Sequence, residues 1–433
     1  MSSLRASLVA TASLMLALPA RADNWPQFRG PTGQGHTRDT DLPLKWSPTE
    51  NVKWKVKLPD QGNSTPIIWG QRVFVTQASD KTLWPPKGGN GGPAIASKRS
   101  LLCLARATGK LLWQKDVTYD AEEATHPTNP FCSASPATDG ERVVVSHGSA
   151  GLFCYDLDGQ ELWKRTDLGK QEHVWGNASS PVIHGERVLF VFGPGEGAAL
   201  YAFDKKTGKD VWKVEEPGGK SGLTKGDAWI GSWSTPVVVS VGDHEELILS
   251  WPGVVKAYDP KKGELFWSCR GLAKDKGSDR LVYTSPAATD QVVVALAGFT
   301  GPALAVKPGG KGDVTETHRL WRHPTAPQRI GSGVIVGEHF YIVNEPGTFM
   351  CLEWKTGKEV FSERLGGVWG SLVHSGERLY ITDLQGTTHV VAAKPQFEVL
   401  STNALAERTL SSIAVADKEL FIRTYEHLWC IAK

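Results

Sequence analysis

Apolar residues in this chain recur in short runs bounded by turn residues, not at helical spacing. One phrase returns with variations: Ser/Thr-x-Pro, a short strand, a strand of the Arg-Val-x-Val type, then a strand ending in Thr-Gly-Lys-x-x-x-Trp. The cleanest copy runs from Ser179 to Trp212. Repeats of this kind determine the fold before any single residue does. Each copy predicts a small antiparallel sheet with two apolar faces, which it can bury only by stacking on its neighbours.

The phrase starts at Ser64–Pro66, Ser133–Pro136, Ser179–Pro181, Ser234–Pro236 and Thr284–Pro286. Weaker starts without Pro lie at Gly331–Gly333, Gly370–Leu372 and Ser411–Ile413. Their spacing is mostly about 40 to 55 residues, the length of a four-stranded propeller blade. The second half of the phrase is complete at Ala202, Asp204, Thr207, Gly208 and Trp212. It is partial around Thr108–Trp113, Asp156–Trp163, Ala257–Trp267 and Thr356–Phe361. Thr-Gly supplies a tight turn in which Gly permits positive φ, and the Trp is placed to pack on the next blade. The last copy stops at Lys433 before its outer strand, whereas Asn51–Leu58 reads as an outer strand without a blade. The expectation is therefore an all-β, eight-bladed propeller of four-stranded antiparallel blades, its ring closed by the N-terminal strand. It forms a single domain over residues 51–433, preceded by a clasp segment at 23–50.

Composition changes this picture little. The 46 Gly and 26 Pro fit many tight turns. Residues 1–22 read as a secretory signal peptide: a basic start, the apolar run Ala6–Pro19, and Ala20-Arg21-Ala22 before the cut. That run is too short to span a bilayer, so a periplasmic or secreted, non-membrane-spanning protein is expected. Without the leader, 46 basic residues face 46 acidic ones, which argues against nucleic-acid binding. Four of the six cysteines (Cys103, Cys154, Cys351, Cys430) fall at or beside the slot held by Ala202 and Ala257, a place for a small buried side chain. Cys132 and Cys269 fall outside this register.

The repeat resembles that of the pyrroloquinoline quinone (PQQ)-like β-propellers, which include quinoprotein alcohol dehydrogenases and BamB-like assembly proteins. The resemblance covers residues 46–433. Trp25–Pro31 (WPQFRGP) resembles an N-terminal motif of exported bacterial members. The dehydrogenases imply a vicinal Cys-Cys pair over the quinone, a Ca²⁺ site and an Asp base; this chain has no Cys-Cys pair and no alignable calcium set. The leading expectation is a non-catalytic binding or scaffold module without cofactor or metal. A PQQ- and calcium-dependent dehydrogenase and a glycan-binding module stand as alternatives.

In such a ring the approaches to each start line one mouth of the central channel. They carry His173, Trp175, Asn177, Trp229, Trp233, Arg280, Arg329, Trp369 and Arg408, together with Asn63, His126, Asn129 and Tyr283. Trp faces suit sugars or planar rings, and several Arg near one axis call for an anion or an acidic partner. The expected partner is thus a protein, or a small anionic or sugar ligand, at the funnel of a monomer. The insertion Gln77–Arg99, rich in Gly and Pro and centred on Trp84, reads as a lid or partner-binding loop over that mouth.

Overall fold

A computed structural model describes residues 24–85, 91–195, 197–216, 228–326 and 330–433. The expected leader and Arg329 lie outside the described residues. The chain is a β-propeller, and eight sheets built on four antiparallel strands occur among the described residues. The third shows the plan: Val182–His184 innermost, then Arg187–Phe192, Ala199–Asp204 and Asp210–Glu215 outermost. Its middle strands are buried along almost their whole length, while the outer strand is largely exposed.

Alternation along the strands sends the two faces of a sheet to different neighbours. In the third sheet Val188, Phe190 and Phe203 pack on Val144, Leu152 and Trp163 of the second. Leu189, Val191 and Leu200 pack instead on Leu247, Leu249 and Trp251 of the fourth. Full burial of such a side chain contributes about 1.5–3 kcal/mol, so no blade stands without both neighbours.

The turn motif is the second link between blades. The Nε1 of Trp113 donates to the Leu157 carbonyl (3.0 Å), Trp163 to Lys205 (2.9 Å), Trp212 to Pro260 (3.3 Å) and Trp321 to Trp354 (2.7 Å). Each indole lies on the next blade's turn, whose Gly makes the close approach. Across its own strand pair, each Trp faces the small slot: Trp113 opposite Cys103, Trp163 opposite Cys154, Trp212 opposite Ala202. The ring therefore dictates the small residue. All six cysteines are free and buried, including Cys132 and Cys269. Burial pushes the Cys103 and Cys154 thiols up to about 12. Trp267 departs from the pattern because the next blade has no Thr-Gly turn; its Nε1 donates to the buried Glu246 (2.9 Å).

The last sheet holds Ala414–Ala416, Glu419–Arg423, His427–Ile431 and, as its outer strand, Val52–Lys57. Trp54 lies opposite Cys430 and donates to the Arg106 carbonyl of the first sheet at 2.7 Å. The first strand thus makes toward the first blade the contact that its counterparts make elsewhere.

The insertion after the first blade's second strand corrects the sequence reading. Its described arms extend the blade as the strands Arg72–Thr82 and Gly92–Ala105, and residues 86–90 lie outside the described residues. Backbone pairing along both arms outweighs their Gly and Pro content.

Candidate functional site

The residue just before each start's Pro, or its equivalent in the starts without Pro, makes a belt around the axis. The backbone N–H of Thr65 donates to Ser135 Oγ, and that of Ser135 to Ser180 Oγ. The chain of bonds continues through Thr235, Ser285, Ser332 and Ser371 to Ser412, each link 2.8–3.0 Å long. Ser411 Oγ then donates to the Ser64 carbonyl at 3.0 Å, joining the last blade to the first. The Ser/Thr of the repeat is thus a junction residue: it satisfies a neighbour's buried N–H, which no ladder reaches.

Above the belt lies a cavity of about 400 Å³ on the propeller axis. One wall is aromatic. Trp175 stacks on Tyr283 with centroids 5.5 Å apart, meets Trp229 edge-on at 5.2 Å and lies 6.3 Å from Trp233. Trp369 and Glu345 line it from later blades, with the Trp369 Nε1 donating to Glu345 Oε1 at 3.1 Å. Seven belt residues line the cavity too: Thr65 and the six from Ser180 to Ser412. The approach of the third blade is held rigid: Asn129 Nδ2 donates to the carbonyls of Trp175 (3.0 Å) and Asn177 (2.9 Å).

Phe28 also lines the cavity and belongs to the N-terminal motif. Trp25, Pro26, Arg29 and Gly30 of that motif each have a structural task. Trp25 is buried and bridges to Ile68, and the Pro26 carbonyl accepts from Thr138 N–H (2.8 Å). Gly30 turns back at a φ of +79°, where a Cβ would lie 2.7 Å from the Trp25 ring. Arg29 is buried, donating to the carbonyls of Pro286 (3.3 Å), Gln34 (3.1 Å) and Gly333. Among the described residues it has no carboxylate partner, and burial lowers its pKa to about 9. The segment then runs along the inner strands, His36–Thr37 pairing in parallel with Val373–Ser375. It closes the axis on the side away from the mouth.

The expected site residues divide. Trp175, Trp233 and Trp369 line the cavity, and Trp229 extends its aromatic wall. His173 stands behind them: buried, edge-on to Trp233 at 4.7 Å, it accepts Trp175 N–H on Nδ1. Desolvation lowers its pKa to about 3, so it is a neutral packing group. Asn177 turns away into a buried network, donating to Glu123 Oε1 (3.1 Å) beside Arg99. Arg280 and Arg408 are exposed and outside the lining, Arg408 lying over the Tyr425 ring. Trp84 packs on Phe131 in a satellite cluster of the extended hairpin. The cation ring inferred for an anion is therefore not assembled by the described residues. Phe28 and Glu345 were not foreseen. Phe28 comes from far outside the repeats and Glu345 from a loop between strands, so neither occupies an approach. The belt hydroxyls were visible in every start but read only as strand beginnings.

The sequence pattern of the outer membrane protein assembly factor BamB family matches residues 97–363 and 310–431. The chain belongs to the BamB family. The BamB protein of Bordetella pertussis is 22% identical over 231 residues, 47% of this chain and 55% of that protein. The match thus spans about half the length of that relative. Among solved structures, BamB from Moraxella catarrhalis superposes with a TM-score of 0.54 at 15% identity, covering 82% of this chain and 99% of its own. The quinohemoprotein alcohol dehydrogenase of Comamonas testosteroni gives 0.63 at 11% identity, covering 96% and 81%. At these identities the likeness is one of fold.

The described lining does not supply what the quinone of the dehydrogenases needs. PQQ is a tricarboxylate and needs cations, yet no described lysine or arginine lines the cavity and its one carboxylate, Glu345, is of the wrong sign. Phe28 occupies the floor, and no cysteine pair is there to cover a planar ring.

Proposed function

We propose that this protein is an exported binding module of the BamB family whose recognition surface is the axial mouth, without quinone-dependent redox chemistry. One observation carries the reading. The N-terminal segment, through Phe28 and the buried Arg29, closes the axis on one side and leaves a preformed aromatic cavity on the other. A closed floor makes a receptor and not a passage, and a rigid wall lowers the entropy lost on binding. That the family is one of assembly factors supports a scaffold that holds another protein.

Site-specific photo-cross-linkers placed at Trp229 and Arg408 on the mouth side, and at Leu162 on an outer strand, test this in cells of the source organism. Adducts from Trp229 and Arg408 but not from Leu162 are expected; adducts from Leu162 alone overturn the assignment of the mouth. Titration calorimetry of the purified protein with PQQ and Ca²⁺ is expected to be flat. Saturable binding with dye-linked alcohol oxidation overturns the non-redox part.

A further inference from the structure

We propose that the axial cavity is a saccharide site, taking an uncharged sugar of mono- to disaccharide size against the Trp175 face. The inference rests on the binding-module reading and narrows its ligand.

The size is that of a small-molecule site, at the lower end of the roughly 300–1,000 Å³ usual for such pockets. The walls combine two surfaces that a sugar ring needs together. Trp175, backed by Tyr283 and Trp233, offers a flat π face to the weakly positive C–H face of a pyranose. The belt offers hydroxyls. From Ser180 to Ser412 each lining hydroxyl already accepts one backbone N–H, and among the described residues none of these O–H groups has a protein acceptor. Six donors thus encircle the cavity. Two further residues of the lining, Tyr283 and Asn63, each carry a buried oxygen (Oη and Oδ1) that has no partner among the described residues. A buried polar atom left unpaired costs about 1–3 kcal/mol, so a ligand that pairs both gains by it. Sugar hydroxyls donate and accept at once, which matches a wall of donors interrupted by the acceptor at Asn63.

Charge narrows the class. Glu345 is the one described charged carboxylate in the lining, and no described cation offsets it. A carboxylated or phosphorylated ligand would meet uncompensated repulsion in a low-dielectric space. An ammonium group would have to share Glu345 Oε1 with the Trp369 Nε1 that already donates to it. The uncharged sugar is the class that needs no rearrangement.

The test uses the purified folded protein, its tryptophan fluorescence and calorimetry, with glucose, maltose, cellobiose, lactose, glucosamine and glucuronate as probes. At least one neutral sugar is expected to saturate below about 10 mM, with glucuronate weaker by about tenfold or more. Tyr283→Phe removes one oxygen and is expected to weaken that sugar by up to about tenfold at an unchanged melting temperature. Trp175→Ala is expected to weaken it further. Glu345→Gln is expected to narrow the gap between glucuronate and the neutral sugar. If Trp175→Ala does not fold, Tyr283→Phe and Glu345→Gln decide the matter. No saturation by any neutral sugar, or glucuronate or glucosamine binding more tightly than all of them, overturns the proposal. If sugars fail while cross-linking from Trp229 and Arg408 persists, the mouth remains a binding surface and only the ligand class falls.

Discussion

At Gly208 the backbone turns with a φ of +69°, and a Cβ there would lie 2.6 Å from the Trp163 ring of the preceding blade. Two demands meet at one atom. The left-handed turn disfavours any side chain, and the neighbour's indole occupies the space where one would go. Gly109 shows the same pairing with Trp54, so the demand belongs to the repeat and not to one blade. Gly208→Ala is expected to destabilise the protein by about 1–3 kcal/mol, read from the urea midpoint. An unchanged midpoint would mean that the turn and indole give way freely. The belt serines are governed by equally local chemistry: each hydroxyl accepts a buried N–H from the blade before it, as Ser180 Oγ does from Ser135.

The strand Val52–Lys57 illustrates how an element far away in sequence completes a unit. It pairs antiparallel with His427–Ile431, and its Trp54 is buried against the first blade's turn. The seam is held by this strand, by the Ser411–Ser64 bond, by Arg106 donating to Glu419 (2.7 Å) and to the Ala416 carbonyl (3.0 Å), and by Arg423 donating to Ser64 Oγ (2.6 Å) and the Thr76 carbonyl (2.8 Å). Trp54→Ala is expected to cost about 3–5 kcal/mol, the range for truncating a buried aromatic, measured by chemical denaturation. A cost below about 1 kcal/mol would show that the seam is held elsewhere. The N-terminal segment before it is a second such element. Its Arg29 gathers carbonyls from the fifth and sixth blades and from its own Gln34, which is why a motif outside the repeats closes the floor.

Across the whole molecule, histidines from separate segments are held neutral by desolvation. His36 is lowered to about 4 by desolvation and then by His374 and Arg29, while His147 and His173 fall to about 3, mainly through desolvation. In the unfolded chain each returns toward about 6.5. Below that value the unfolded state binds more protons than the native one, so stability is full above it and declines as the pH falls toward the depressed values. The urea midpoint is expected to hold from pH 8 to about 7 and then drop steadily to about pH 4.5, with His173→Gln reducing the slope. A midpoint flat across that window would contradict neutral burial of these rings. Tertiary packing decides this behaviour, because these His residues are scattered in sequence and share no motif.

The repeat phrase by itself determined the strand pattern, the stacking of sheets, the small slot opposite each Trp and the place of the first strand in the last sheet. Those properties follow from periodic local choices, each readable within a few dozen residues. The cavity did not follow from them. Three of its aromatic residues, Trp175, Trp233 and Trp369, stood in the approaches and were legible there. Arg280 and Arg408 stood in equivalent approaches but are exposed and outside the lining, Arg408 lying over the Tyr425 ring. The described arms of the Gln77–Arg99 segment are strand because each had the other to pair with. Phe28 and Glu345 reach the cavity only through contacts between distant segments. Local pattern sets which surfaces are buried; which side chains meet on the axis depends on long-range closure, and that was decided by the tertiary structure alone.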